Sequence, residues 1–101
     1  MMQTRTQDEI AQELAAAGEK WLDENEPGWD QKVSSDDLDM GSWRWCICGQ
    51  VYGDFTYRPD EMPDPTTLGF DIPPHDLKIE ADEYYHSLGR AWLSILASRK
   101  L

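Results

Sequence analysis

Trp43-Arg44-Trp45-Cys46-Ile47-Cys48-Gly49-Gln50-Val51-Tyr52-Gly53-Asp54-Phe55-Thr56-Tyr57 is the stretch on which the fold class turns. Trp43, Trp45 and Ile47 alternate as residues on a strand do, and so do Phe55 and Tyr57. A hairpin turning near Gly53-Asp54 is one reading. It would need cover, and no third strand is visible elsewhere in the chain. The helical reading places Ile47, Val51 and Phe55 on one face, with Cys48 and Tyr52 adjacent. Gly49 and Gly53 weaken both readings. We favour a short helix and leave one short hairpin as the alternative.

Outward from this stretch the signals are helical on both sides. Thr6-Gln7-Asp8-Glu9 matches a capping box. Ile10, Leu14, Ala17, Trp21 and Leu22 recur at helical spacing after it, and Ala11, Ala15 and Ala16 add propensity. Gly18 interrupts the run, and Pro27-Gly28 ends it. The expectation is a helix over about 7–25, with residues 1–5 disordered. Trp29 should fold back onto the core, and Ser34-Ser35-Asp36-Asp37 should open a short helical turn ending near Gly41.

On the far side, Leu77, Ala81, Tyr84, Leu88, Ala91 or Trp92, and Ile95 form one stripe, which Tyr85 and Leu96 widen. Glu80, Asp82 and Glu83 precede Arg90, Arg99 and Lys100, the charge order a helix dipole favours. This predicts a second long helix over about 77–98. Between them, residues 58–75 carry Pro59, Pro63, Pro65, Pro73 and Pro74 and read as a long loop pinned by Leu68, Phe70 and Ile72. The chain is thus expected to be one mainly α domain over 1–101. Two long helices would pack around a short aromatic-rich middle.

Composition narrows the function classes. The chain has 101 residues, with 20 acidic side chains against 9 Lys plus Arg and a formal net charge of −11. Five Trp, four Tyr and two Phe are too many aromatics for a disordered acidic tail. A field of this sign repels nucleic-acid phosphates and anionic membranes and attracts basic protein surfaces. Direct nucleic-acid binding and membrane insertion are therefore not expected, and a basic protein partner is. The opening MMQTRTQDEI lacks the apolar run of a signal peptide, and no stretch nears the roughly 20 apolar residues of a membrane span. Two cysteines only, spaced C-x-C, fit reduced thiols in a cytoplasmic setting.

Chemical motifs are weak. Cys46, Cys48, His75 and His86 supply zinc-type ligands, but the cysteines are two positions apart and the histidines eleven, neither a compact zinc spacing. His86 falls opposite the Leu88 stripe and should face solvent. A cysteine nucleophile needs a lowered thiol pKa, and the surrounding acids push the other way. The Asp-rich run 36–39 lacks an EF-hand pattern, and no phosphate- or dinucleotide-binding fingerprint occurs. No catalytic residue, cofactor or metal is expected. A small metal or thiol protein centred on Cys46 and Cys48 is kept as an alternative.

Two residue sets remain as interaction candidates. Trp29, Trp43, Trp45 and Tyr57 belong to the residue types that dominate protein–protein hot spots. Asp36, Asp37, Asp39, Asp60, Glu61 and Asp64 could present carboxylates to a basic groove, as a DNA mimic would. The unpaired apolar width of the C-terminal helix would also suit a homodimer.

Leu22-Asp23, Pro27-Gly28-Trp29, Leu38-Asp39-Met40 and Cys46-Ile47-Cys48-Gly49-Gln50-Val51-Tyr52-Gly53, followed by Gly69-Phe70 and by Tyr85, Leu88 and Trp92, form one pattern over about residues 18–96. In this the chain resembles the small acidic proteins of actinobacterial phages and prophages, a family with no activity to transfer. Cys48 stands where those proteins have Leu. The resemblance implies that Cys48 is a packing residue and that the middle is helical. Charge, aromatic content, the lack of a catalytic set and this resemblance together lead to the expectation of a non-enzymatic phage or prophage accessory protein that binds and modulates a host or phage protein in the bacterial cytoplasm.

Overall fold

The computed structural model describes residues 7–71 and 81–99. Three α-helices appear there: α1 (Gln7–Asn25), α2 (Ile47–Tyr52) and α3 (Ala81–Arg99). Short 3₁₀ turns lie at Trp29–Gln31, Phe55–Tyr57 and Pro65–Leu68. No strand occurs among the described residues. The protein is mainly helical, and α1 packs against α3 and against the 65–68 turn.

The middle is a helix for a reason that involves both of its glycines. Cys46 caps α2: its backbone is extended and its Sγ accepts the Gly49 N–H at 3.2 Å. A Cβ on Gly49 would run into the backbone of Trp43 and Arg44, so only glycine lets the incoming chain cross here. Gly53 then ends the helix at φ 93°, a left-handed conformation that costs glycine little. A hairpin would have shown a ladder across this stretch. Instead one backbone bond joins its two ends, Phe55 N–H to the Trp43 carbonyl at 2.9 Å. Ile47, Cys48 and Val51 are buried, and Phe55 packs against them as a half-buried neighbour.

The buried face of α1 is rotated from the expected stripe and keeps only Leu22 of it. Ala11, Ala15, Gly18 and Leu22 are buried, whereas Ile10, Leu14 and Trp21 sit half-buried at the edge and Ala17 is exposed. The small residues face inward because α1 is approached closely. A Cβ on Gly18 would collide with the Leu68 carbonyl and lie 2.9 Å from the Trp92 ring. Thr6, the expected N-cap, lies outside the described residues.

Trp92 of α3 is the centre of the core. It is fully buried, stacks on Phe70 (centroids 5.6 Å apart, planes 13° apart) and meets Trp29 edge to face. Its Nε1–H donates to the Gly69 carbonyl at 2.8 Å, so the ring buries no unsatisfied donor. Tyr84, Leu88, Ala91 and Leu96 complete the buried stripe as the periodicity predicts. Leu77, the expected first residue of that stripe, lies outside the described residues, as do Ile72, Pro73 and Pro74 of the loop. Leu68 and Phe70 do pin the loop to the core.

Residues 34–41 form separate turns and not one helical turn. Asp37 and Leu38 N–H groups reach back three residues, and Asp39 leaves the run to bond the Trp45 carbonyl at 3.0 Å. Gln50 holds this loop in place. Its side chain accepts the Ser34 N–H at 2.6 Å and donates to the Ser34 and Trp45 carbonyls. These backbone groups have no helix or sheet partner, and one amide satisfies three of them.

At the opposite end Arg99, in the last turn of α3, bonds Glu19, Asp23 and Asp30, with Asp23 gripped through both oxygens at 2.9 and 3.1 Å. Its guanidinium also stacks 5.0 Å from the Trp29 ring centroid. A cation here suits the negative end of α3 and offsets the acids at the end of α1, which has no basic residue in its last turn. No described helix is long and apolar enough to cross a membrane.

Candidate functional site

Trp43, Trp45 and Tyr57 are the aromatic side chains that the core does not absorb. Trp43 is 72% exposed, Tyr57 71% and Trp45 42%. Ser42 sets up the first two: its hydroxyl accepts the N–H of both Arg44 and Trp45 at 3.2 Å, fixing the turn that carries them. Asp54 sets up the third by capping the 55–57 turn through the Thr56 N–H and hydroxyl. The Phe55–Trp43 backbone bond then lays the two segments side by side. Arg44 stacks over Trp45 at 4.6 Å and Arg58 over Phe55 at 4.0 Å, which stiffens the exposed edge.

Trp29 does not belong to this surface. It is fully buried, because Gly28 in the left-handed conformation turns the chain back so that the ring enters the core and its Nε1–H donates to Asp23 at 2.9 Å. Its expected role as an interaction residue is therefore corrected to a core role.

Asp36, Asp37, Asp39, Asp60, Glu61 and Asp64 are all exposed. Asp39 lies directly beside Trp45 through its backbone bond to that residue. Two of the six carboxylates also shape their own loops, Asp39 by accepting the Gly41 N–H and Asp64 by capping the 65–68 turn. Hydrogen bonds from Thr66 hold the Asp64 carboxyl below the usual carboxylate range.

Beneath Trp43 lies a cavity of about 60 Å³. Trp43, Phe55, Phe70 and Tyr85 line it, with Met40 and Asp71. The Tyr85 hydroxyl donates to Asp71 at 2.9 Å. Burial, then that hydrogen bond, push the Tyr85 phenol up to about 12, so it stays protonated. Met40, Gly41 and Tyr85 also belong to the wall of a larger groove of about 470 Å³, which runs along α3 past His86, Gly89 and Leu93. The cavity and the groove thus share three lining residues. Sequence reading missed this arrangement: its residues come from four separate segments, and no local spacing marks them.

A third hollow, of about 260 Å³, lies along the α1–α3 contact and is lined by Asp8, Gln12, Ser87, Arg90, Ala91 and Ser94. The Arg90–Asp8 ion pair across it, 2.7 Å long, is solvent-exposed at both ends. Such a pair contributes little to stability.

Cys46 and Cys48 are buried free thiols. Burial raises both thiols, Cys48 strongly, so neither is poised as a nucleophile near neutral pH. Among the described residues no three His, Cys, Asp or Glu side chains come together as a metal set. His75 lies outside the described residues, and His86 is exposed as expected. On α3, Leu96 is buried and Tyr85 half-buried within the single chain, while Leu93 remains exposed. Compared with known protein families, curated proteins and solved structures, the chain finds no match.

Proposed function

We propose that the chain is a non-enzymatic binding protein, and that the edge formed by Trp43, Trp45 and Tyr57 is its contact surface for a basic protein partner. The exposure of Trp43 carries this reading: the core is closed by Trp29, Phe70 and Trp92 without it. Exposed Trp and Tyr on a stiffened turn supply large contact area at little cost in side-chain entropy. The net charge of −11 and the exposed acid beside Trp45 supply complementarity to a basic surface. The resemblance to actinobacterial phage and prophage proteins supports an accessory role that modulates a host or phage protein in the bacterial cell.

Capture of partners from an actinobacterial lysate at low and high salt tests this. A partner held through aromatic contacts persists at high salt and is lost when Trp43 and Trp45 are replaced. The six exposed acids support a second reading as a DNA mimic. That reading requires a nucleic-acid-binding partner released as salt rises, because screening acts on such contacts. Capture unaffected by either the double replacement or salt would reject both.

A further inference from the structure

We propose that the turn carrying Trp43 and Trp45 and the acidic loop 34–39 act as one contact surface, and that its occupant is an arginine-bearing segment of the partner. This rests on the binding reading above and names the chemistry that the aromatic edge recognises.

Gln50 of α2 joins the two parts. Its side-chain nitrogen donates to the Ser34 carbonyl at 3.2 Å and to the Trp45 carbonyl at 3.0 Å, and its oxygen accepts the Ser34 N–H. The Trp45 carbonyl also accepts the Asp39 N–H at 3.0 Å. Both ends of the 34–39 loop are therefore tied at Trp45, and Asp36 and Asp37 lie on a loop closed there. The Ser42 N–H bonds the Asp39 carbonyl, also at 3.0 Å, which closes the turn that leads into Trp43.

Both parts are open to a ligand. Trp43 is 72% exposed. Asp36, Asp37 and Asp39 are exposed too, and among the described residues they take part in no ion pair. Arg44, the cation within this turn, is already stacked on Trp45 and lies close enough to Asp54 to lower its carboxyl.

Complementarity selects the ligand. An anionic segment would meet these carboxylates and the net charge of −11. Lysine could balance the carboxylates. A guanidinium does more, because it is planar and weakly hydrated, stacks on an indole face and pairs a carboxylate through two N–H groups. The protein uses that combination internally: Arg99 stacks on Trp29 while it bonds Glu19, Asp23 and Asp30. All three cation–ring contacts among the described residues are made by Arg.

The test is an NMR titration of the intact chain with an acetylated Arg-Gly-Arg-Gly-Arg amide and with its lysine counterpart of equal charge. The arginine peptide should give saturable shifts of the Trp43 indole and the Asp39 amide, and the lysine peptide should bind about threefold to fivefold more weakly. Trp43→Ala should bring arginine binding down to the lysine level and leave lysine binding unchanged. Gln50→Glu keeps an acceptor for the Ser34 N–H, loses the donor and adds a negative charge. Plain attraction between charges would tighten in that variant, whereas loss of the clasp should weaken arginine binding. Equal affinity for the two peptides would overturn arginine as the occupant. Tighter binding by the Gln50 variant would overturn the joined surface, as would shifts that spare residues 34–45 or silence from both peptides. The peptides need no cellular partner: a captured partner together with equal peptide affinities would reject this proposal alone, and loss of capture would reject the binding reading.

Discussion

Trp29 and Trp92 meet nearly at right angles, their ring centroids 5.9 Å apart and their planes at 82°. The contact joins the turn after α1 to the middle of α3, and each indole N–H has an acceptor of its own. Truncating Trp92 removes this contact and the stack on Phe70 together. Trp92→Ala should therefore cost about 3–5 kcal/mol in urea unfolding. Trp43→Ala should stay within about 0.5 kcal/mol, as exposed positions generally do. Comparable losses from the two would mean that Trp43 is a core residue.

Gly18 should resist the replacement that helix propensity favours. Ala in place of Gly in a helix interior ordinarily gains about 1 kcal/mol. Here the added methyl meets the Leu68 carbonyl and the Trp92 ring. Gly18→Ala should destabilise by about 1–3 kcal/mol through overpacking. A rise in melting temperature would show that α1 and the 65–68 turn are not in close contact.

Arg99 links stability to acid pH. Its hydrogen bonds, followed by that of Trp29, hold the Asp23 carboxyl below its ordinary value of 3.8. A depressed carboxyl stabilises the fold above its unfolded pKa, and that contribution disappears as pH falls through the folded value. Stability should thus drop below about pH 4, and part of the drop should vanish in Arg99→Leu. That variant should also lose about 1–2 kcal/mol near neutral pH. An identical acid transition in both proteins would assign it to other carboxylates.

The two thiols should behave as packing groups. Both should react slowly with a thiol reagent at pH 8 in the native protein and quickly once it is unfolded. Cys46→Ala removes the acceptor that caps α2 and should cost about 0.5–2 kcal/mol. Cys48→Leu adds volume at a fully buried position and should cost about 1–3 kcal/mol through overpacking. Rapid native labelling of either thiol would contradict the burial.

The long helices were legible because apolar residues recur at helical spacing there, most clearly from Tyr84 to Leu96. The inward face of α1 was misread for a physical reason. Large residues mark a buried face only when the neighbour keeps its distance, and Ala11, Ala15 and Gly18 admit a closer one. In the middle, glycines that looked like breakers are a crossing point at Gly49 and a C-cap at Gly53. Among the candidate contact residues, composition identified Trp43, Trp45 and Tyr57 but could not separate them from Trp29. That difference depends on the left-handed turn at Gly28 and the acceptor on Asp23. The cavity was out of reach, since Met40, Phe55, Asp71 and Tyr85 meet only in three dimensions.

The most direct test of the exposed aromatic edge is to measure unfolding and partner capture together for Trp43→Ala/Trp45→Ala. The account predicts a melting temperature close to that of the parent chain and loss of the captured partner at both salts. Undiminished capture, or a collapse of the fold in this variant, would contradict it.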